Sequence, residues 1–315
     1  MQEKEKGRTN AVLLAQSDGC GVWQYRSESG DGTVARYDVF PGASLCFYDF
    51  HMESVCPYPA QRGELLAIDH CRAGRMEYAS SEDTLACAAP GDVRIGRAGA
   101  GERLVFPTGH YCGLSVELAL DDGAWAAQTQ PEPLPESPAE LARRFHAEKY
   151  PRILNPDVQM AHILGELYEA PEKVRLPYLR LKVLELMLCL ASTEPPEEAQ
   201  ARPRFCRTQV EKVREIHAFL SENLSDNFTQ EELAARFGIP LTTMKSCFKS
   251  LYGTSIGAWL TGCRMERAAR LLREKAELSV AQIAGNVGYD SPSKFSMAFR
   301  RTRGVSPSEC RREVR

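Results

Sequence analysis

Between residues 33 and 120 the apolar positions fall in short runs rich in Val, Ile, Leu, Phe and Tyr, separated by Gly, Pro and Asp. The runs at 33–40, 44–52, 64–71, 75–79, 84–88, 92–95, 103–106 and 112–120 predict short strands of an antiparallel barrel or sandwich. Beyond a proline-rich joint (Pro131, Pro133, Pro135, Pro138) the period changes. Val158, Met160, Ile163, Leu164 and Leu167 recur at helical spacing, and Pro171 ends that helix. The next helix has Pro177 in its first turn and runs to Leu190. It is apolar around most of its circumference, with charges only at Arg180, Lys182 and Glu185. One face therefore packs on the strands, while the other needs a partner or burial inside a monomer. The polar, proline-containing stretch 193–203 reads as a linker. Val210, Val213, Ile216, His217 and Leu220 then mark a bracing helix, with His217 as a packing or surface residue.

Residues 229 to 311 carry one pattern twice. Leu233-Ala234 aligns with Ile283-Ala284, Gly238 with Gly288, Phe248 with Phe299, and Gly253 with Gly304. The extra residue of the second copy falls between Gly288 and Phe295, in the turn. Thr229 with Glu232, and Ser279 with Gln282, form capping boxes that open the first helix of each copy. Gly238 and Gly288 stand where a helix ends in a left-handed residue. Asp290 or Ser291 caps the last helix, with Pro292 in its first turn. Met244, Phe248 and Leu251 make one apolar face, and Phe295, Ala298 and Phe299 the other. The pattern predicts two helix-turn-helix units in tandem. Between them, residues 255–274 predict a long helix. Trp259, Leu260, Cys263, Ala268, Leu271 and Leu272 lie mainly on one face, with Arg264, Arg267, Arg270 and Arg273 around the rest.

These residues carry a family resemblance. Ile283-Ala284, Val287-Gly288-Tyr289, Ser293-Lys294-Phe295, Phe299-Arg300, Gly304-Val305-Ser306-Pro307 and Arg311 resemble the signature of AraC/XylS-type transcription regulators. Arg264, Ala268 and Leu271-Leu272 look like that family's linker helix. The chain departs from the pattern at Pro240, where a capping residue is usual, and at Cys310, where an aromatic is common. The implied fold is α+β: an N-terminal antiparallel, cupin-like barrel with a helical segment, then an all-α domain of two helix-turn-helix units. Pro90-Gly91-Asp92 looks like a turn of such barrels. The implied boundaries are 1–130 for effector sensing, 131–192 for dimerisation, 193–204 for the linker and 205–315 for DNA binding.

What the resemblance implies for function is a ligand-responsive regulator that binds double-stranded DNA as a homodimer, with a small-molecule effector and, for an activator, RNA polymerase as further partners. Carried over by position, the first recognition helix offers Thr242, Thr243, Lys245 and Ser246 to base edges and Lys249 to phosphate. The second offers Ser293, Lys294, Ser296 and Met297, with Arg300 and Arg301 toward the backbone. Met297 stands where Arg is frequent, so an apolar contact is expected there. Phe47, Tyr48 and Tyr111 are candidates to line an effector pocket.

Charge agrees with this division. Residues 205–315 hold 18 Lys+Arg against 12 Asp+Glu, or +6, in a chain whose net charge is −3. The remainder is therefore −9, and a basic end on an acidic body suits phosphate contacts by one domain. The 11 cysteines include no Cys-x-x-Cys pair, which favours reduced structural thiols over a metal site or disulfide framework, with redox sensing by one exposed thiol as the lesser reading. His51, His70 and His110 are isolated, without the His-x-His pair of a metal-binding cupin, and no metal or cofactor is expected. A strand at His70-Cys71 would point the two to opposite faces. Gly96 to Gly101 lacks the third glycine of a dinucleotide fingerprint and reads as a loop. Ala11 to Ala15 is too short an apolar run for a signal sequence or membrane span, so a cytoplasmic protein is expected. Two alternatives remain open: a cupin-type enzyme with a DNA-binding appendage, and an effector-independent DNA-binding protein.

Overall fold

The computed structural model describes residues 10–17, 19–57, 64–99, 103–120, 136–195, 202–275 and 277–312. Pro131, Pro133 and Pro135, residues 196–201 of the linker, Gly101 and the charged first residues lie outside this set. The chain divides into two compact units, Met1–Arg204 and Phe205–Arg315.

The first unit is built on antiparallel strands: β1 (Asn10–Ser17), β2 (Cys20–Ser27), β3 (Gly30–Phe40), β4 (Ala43–His51), β5 (Ser54–Val55), β6 (Leu65–Gly74), β7 (Met76–Ala79), β8 (Thr84–Ala88), β9 (Val93–Ala98), β10 (Leu104–Val105), β11 (Tyr111–Ala119) and β12 (Arg152–Leu154). The main sheet has the order β1-β2-β3-β4-β11-β6-β9-β12, and β8, β7, β10 and β5 pair in that order in a second. Among the described residues, three helices follow the long strands: α1 (Pro138–Arg144), α2 (Val158–Tyr168) and α3 (Arg175–Ser192).

Period-two alternation gives the main sheet two buried faces. Leu114, Val116 and Leu118 of β11, with Leu45, Leu66 and Ile68, pack under Leu141, Ile163, Leu167, Val183, Leu186 and Leu190 of the helices. Tyr111 on the same strand joins Tyr25, Val34, Tyr48, Phe50 and Phe106 on the other side. His70 and Cys71 obey the same rule. His70 Nδ1 lies 3.0 Å from the Tyr168 hydroxyl of α2, while Cys71 is buried in the opposite cluster.

Several expectations need correction here. Strands β1 and β2 precede the first predicted run; every side chain of β1 that is described is exposed, so no in–out alternation marked it. Gly96, read as part of a loop, belongs to β9, where Pro151 lies so close that a Cβ at 96 would meet its Cβ at 2.7 Å. Val158, counted with the apolar face of α2, is 88% exposed in the first turn of the helix that Asp157 caps.

The second unit is helical: α4 (Arg207–Glu222), α5 (Gln230–Arg236), α6 (Leu241–Tyr252), α7 (Ile256–Glu274), α8 (Val280–Asn286), α9 (Pro292–Arg303) and α10 (Pro307–Arg312). One arrangement occurs twice. Thr229 and Glu232 exchange capping hydrogen bonds at the start of α5, and Ser279 and Gln282 do so at α8. Gly238 and Gly288 follow at φ +58° and +80°, the left-handed conformation that costs glycine least. Then α6 and α9 begin. Of the two expected caps for α9, Ser291 is used: its hydroxyl accepts from Lys294 N–H, with Pro292 opening the helix. Pro240 occupies the matching place before α6, which has no side-chain cap.

Candidate nucleic-acid interface

Helices α6 and α9 each bury one stripe and expose the other. Met244, Cys247, Phe248 and Leu251 are buried on α6, as are Phe295 and Phe299 on α9. The opposite positions include most of the candidates for base and phosphate contact. Thr242, Lys245, Ser246 and Lys249 are exposed on α6, and Thr243 is half-buried. On α9, Ser293, Lys294, Met297, Arg300 and Arg301 are exposed and Ser296 is half-buried. Met297, at 68%, is an apolar side chain standing in solvent on the leading half of its helix.

Local chemistry refines what each can offer. The Ser246 hydroxyl donates to the carbonyls of Thr242 and Thr243, at 3.0 and 3.1 Å, and the Ser296 hydroxyl to Pro292 O at 2.9 Å. Their protons are spent on the helix, so each presents an acceptor. Among the described residues, no carboxylate forms an ion pair with Lys245, Lys249, Lys294, Arg300 or Arg301, though Arg300 lies near enough to Glu309 to stabilise its charge. Arg303, further along α9, is instead paired with Glu266 of α7.

The supports of these helices are specific. His217 of α4 is packed among the rings of Tyr252, Trp259 and Phe248, and burial lowers its pKa. It is a packing residue. Lys212 of α4 donates to Gly238 O at 2.7 Å, closing the end of α5. Arg311 donates to Leu278 O at 2.6 Å, and Cys310 is buried in the same core as Phe295 and Phe299.

The long helix α7 differs from expectation. Arg264, placed with the charged side, is buried, while Trp259, Leu260, Cys263 and Leu271 are only half-buried. Its core stripe is Ile256, Met265, Ala268, Ala269 and Leu272. The spacing Leu260, Arg264, Ala268, Leu272 repeats every four residues and already placed Arg264 beside that stripe; its charge argued otherwise.

In the first unit a cleft of about 1000 Å³ is bordered by Arg36, Asp38, Ser44, Glu117 and Arg180. A smaller cavity of about 160 Å³ lies among Trp23, Tyr25, Val34, Tyr48 and Glu117. Glu117 is buried and accepts from the Tyr48 hydroxyl at 3.0 Å and Ser44 at 3.2 Å. Of the three aromatics suggested for a pocket, Tyr48 lines the small cavity. Phe47 faces the other side of the sheet, edge-on to Tyr168, and Tyr111 is stacked on Phe106 within the core. Sequence reasoning passed over Trp23 and Glu117: a lone Trp in an unassigned strand and a single acidic residue in an apolar run carry little signal. Among the described residues, no group of three His, Cys, Asp or Glu could hold a metal ion, and no helix is long and apolar enough to cross a membrane. All eleven cysteines are free thiols, and Cys206 is the exposed one.

The second unit thus has the architecture of a helix-turn-helix protein, and residues 233–313 match the family model described as a helix-turn-helix domain. The thermoregulatory protein LcrF of Yersinia pestis is 31% identical over 175 residues, spanning 55% of this chain and 64% of that protein. The HTH-type transcriptional regulator ExsA of Pseudomonas aeruginosa is 30% identical over 132 residues, 42% of this chain and 46% of that protein. The chain therefore spans less than two thirds of the length of either curated relative. A crystal structure of the DNA-binding domain of the global transcriptional factor AdpA, in complex with a target DNA, is 36% identical, covering 33% of this chain and 93% of that chain with a TM-score of 0.32. The matched helix-turn-helix domain is of the AraC type, and the curated relatives are named as regulators of the AraC/XylS family.

Proposed function

We propose that this protein is a sequence-specific DNA-binding regulator of transcription. In this reading α6 and α9 are the recognition helices of two tandem helix-turn-helix units, and they enter two successive major grooves on one face of the duplex. The observation that carries it is the repetition itself: two exposed helix faces bearing unpaired cations, each behind a capped helix and a left-handed glycine. The 19 residues of α7 span roughly 28 Å at 1.5 Å per residue, near the roughly 34 Å between successive major-groove faces. The AraC-type domain match over residues 233–313 and the regulator names of both curated relatives support the same role.

The N-terminal unit, in the same proposal, is a cupin-like sensor that takes a small ligand in its clefts and pairs two copies through the exposed leucines of α3. RNA polymerase is the further partner of an activator, and the protein works in the cytoplasm. Selection of bound sequences from random duplexes, repeated with a metabolite panel, tests the reading. Footprinting of the selected duplex should reveal two protected major-groove segments on one face. Protection of one groove, or no enriched sequence, would refute it.

A further inference from the structure

Arg264 of α7 is 8% exposed, and its guanidinium is held by two separate segments. Nε donates to Leu224 O at 2.7 Å, and Nη2 to Asp226 O at 2.8 Å and to Asn227 Oδ1 at 3.0 Å. Nη1 reaches Gly288 O at 3.4 Å, and the Tyr289 ring centroid lies 5.8 Å from the guanidinium carbon. The loop 224–227 leads into the first helix-turn-helix pair, whereas Gly288 and Tyr289 form the turn of the second. These loops are in close approach. A Cβ at position 288 would come within 2.5 Å of Ser225 O and 2.8 Å of Arg264 Nη2, so the left-handed glycine serves the contact as well as the turn.

Apolar packing fixes the second half of α7 to its neighbours: Met265, Ala268, Ala269 and Leu272 share a core with Ile283, Phe295 and Phe299. Such packing is non-directional and sets a distance better than an angle. A planar fork of donors to two loops sets both. A buried cation is tolerated only while its donors are matched, so shifting either loop would leave part of the guanidinium unsatisfied.

We propose that Arg264 is the positioning residue that fixes α6 and α9 in one mutual register, and so sets the spacing between DNA subsites that the protein accepts. This rests on the tandem-reader proposal. Lysine would keep the charge but, as a compact ammonium, could not reproduce the fork.

The test uses the full chain and the duplex recovered by selection, together with versions carrying one base pair inserted or deleted between the two subsites. One base pair moves a subsite by about 3.4 Å and turns it by about 35°. The parent protein should lose roughly 10–100-fold in affinity on either change, the range of a lost base contact or two. Arg264→Lys should shrink that ratio to about threefold or less, while duplexes retaining a single subsite bind it as they bind the parent. A uniform loss of affinity with the spacing ratio intact would overturn the proposal, since Arg264 would then serve stability alone. Should Arg264→Lys fail to fold by thermal melting, Asn227→Ala decides, because it removes one acceptor from an exposed residue. A reduced ratio supports the proposal, and an unchanged ratio overturns it. If the parent itself is indifferent to spacing, the two-groove reading fails and carries this proposal with it.

Discussion

The imidazole of His217 lies flat against the ring of Tyr252, centroids 4.2 Å apart and planes 8° from parallel. Trp259 closes a second side at 4.5 Å, so one histidine joins α4 to the end of α6 and the start of α7. Burial lowers its pKa below the ordinary value of 6.5, so the folded chain binds fewer protons there than the unfolded chain. Its contribution to stability is complete above pH 6.5 and is lost as pH falls from there through the depressed folded value. His70, also lowered by burial, acts in the same direction in the other unit. His217→Phe keeps a stacking ring without a titrating group. The drop in melting temperature between pH 7.5 and 5 should be smaller for the variant. An equal drop would remove His217 as a source of acid sensitivity.

Lys245 and Arg300 should differ in kind. Lys245 stands in the first half of α6, where a recognition helix meets base edges, and Arg300 in the last turns of α9. Lys245→Ala should cost about 1–3 kcal/mol on the selected duplex and relax preference at one base pair. Arg300→Ala should weaken selected and random DNA alike, lowering the slope of log affinity against log salt by roughly one. Matching profiles across single-base variants would mean that α6 is placed wrongly.

On α3, Leu181 and Leu188 are 67% and 53% exposed, and Leu184 between them is half-buried. The face opposite them is buried beneath the sheet, so these leucines cost apolar exposure for no gain within one chain. Leu181→Glu with Leu188→Glu should convert a dimer to a monomer in sedimentation at micromolar concentration, with the melting temperature of the monomer little changed. A parent that is already monomeric at that concentration defeats the dimer proposal.

The two helices proposed to read DNA are unequally capped. Ser291→Ala removes the acceptor for Lys294 N–H and should cost about 1 kcal/mol in urea unfolding. Pro240→Ser supplies an acceptor that α6 lacks but frees a backbone angle that the ring had fixed, so stability should stay within about 0.5 kcal/mol. A large loss at Pro240 would place the stiffness of that turn above its hydrogen bonding.

Local chemistry made much of the second unit legible in the sequence. Thr229, Glu232, Ser279, Gln282, Gly238 and Gly288 act over four or five residues, and their hydrogen bonds and left-handed turns need no distant partner. The repeat then placed α6 and α9, and the apolar run at 112–120 placed β11, while the assignment of its faces to the helices and to the second core came from the fold. The edge strand β1 was not legible, because exposed side chains on an edge leave no burial pattern. Nor was the lining of the first unit's cavities: Trp23, Tyr48 and Glu117 come from three strands that meet only when the sheet closes its register.

Arg264 marks the boundary most sharply. The sequence determined that it stands on a helix beside the apolar stripe, since spacing along a helix is fixed by its period. Only the tertiary structure decided that its charge is buried, because Leu224, Asp226 and Asn227 lie about forty residues earlier and Gly288 lies later in the chain. A cation enters an interior when acceptors from separate segments converge on it, and that convergence exists only in the folded chain.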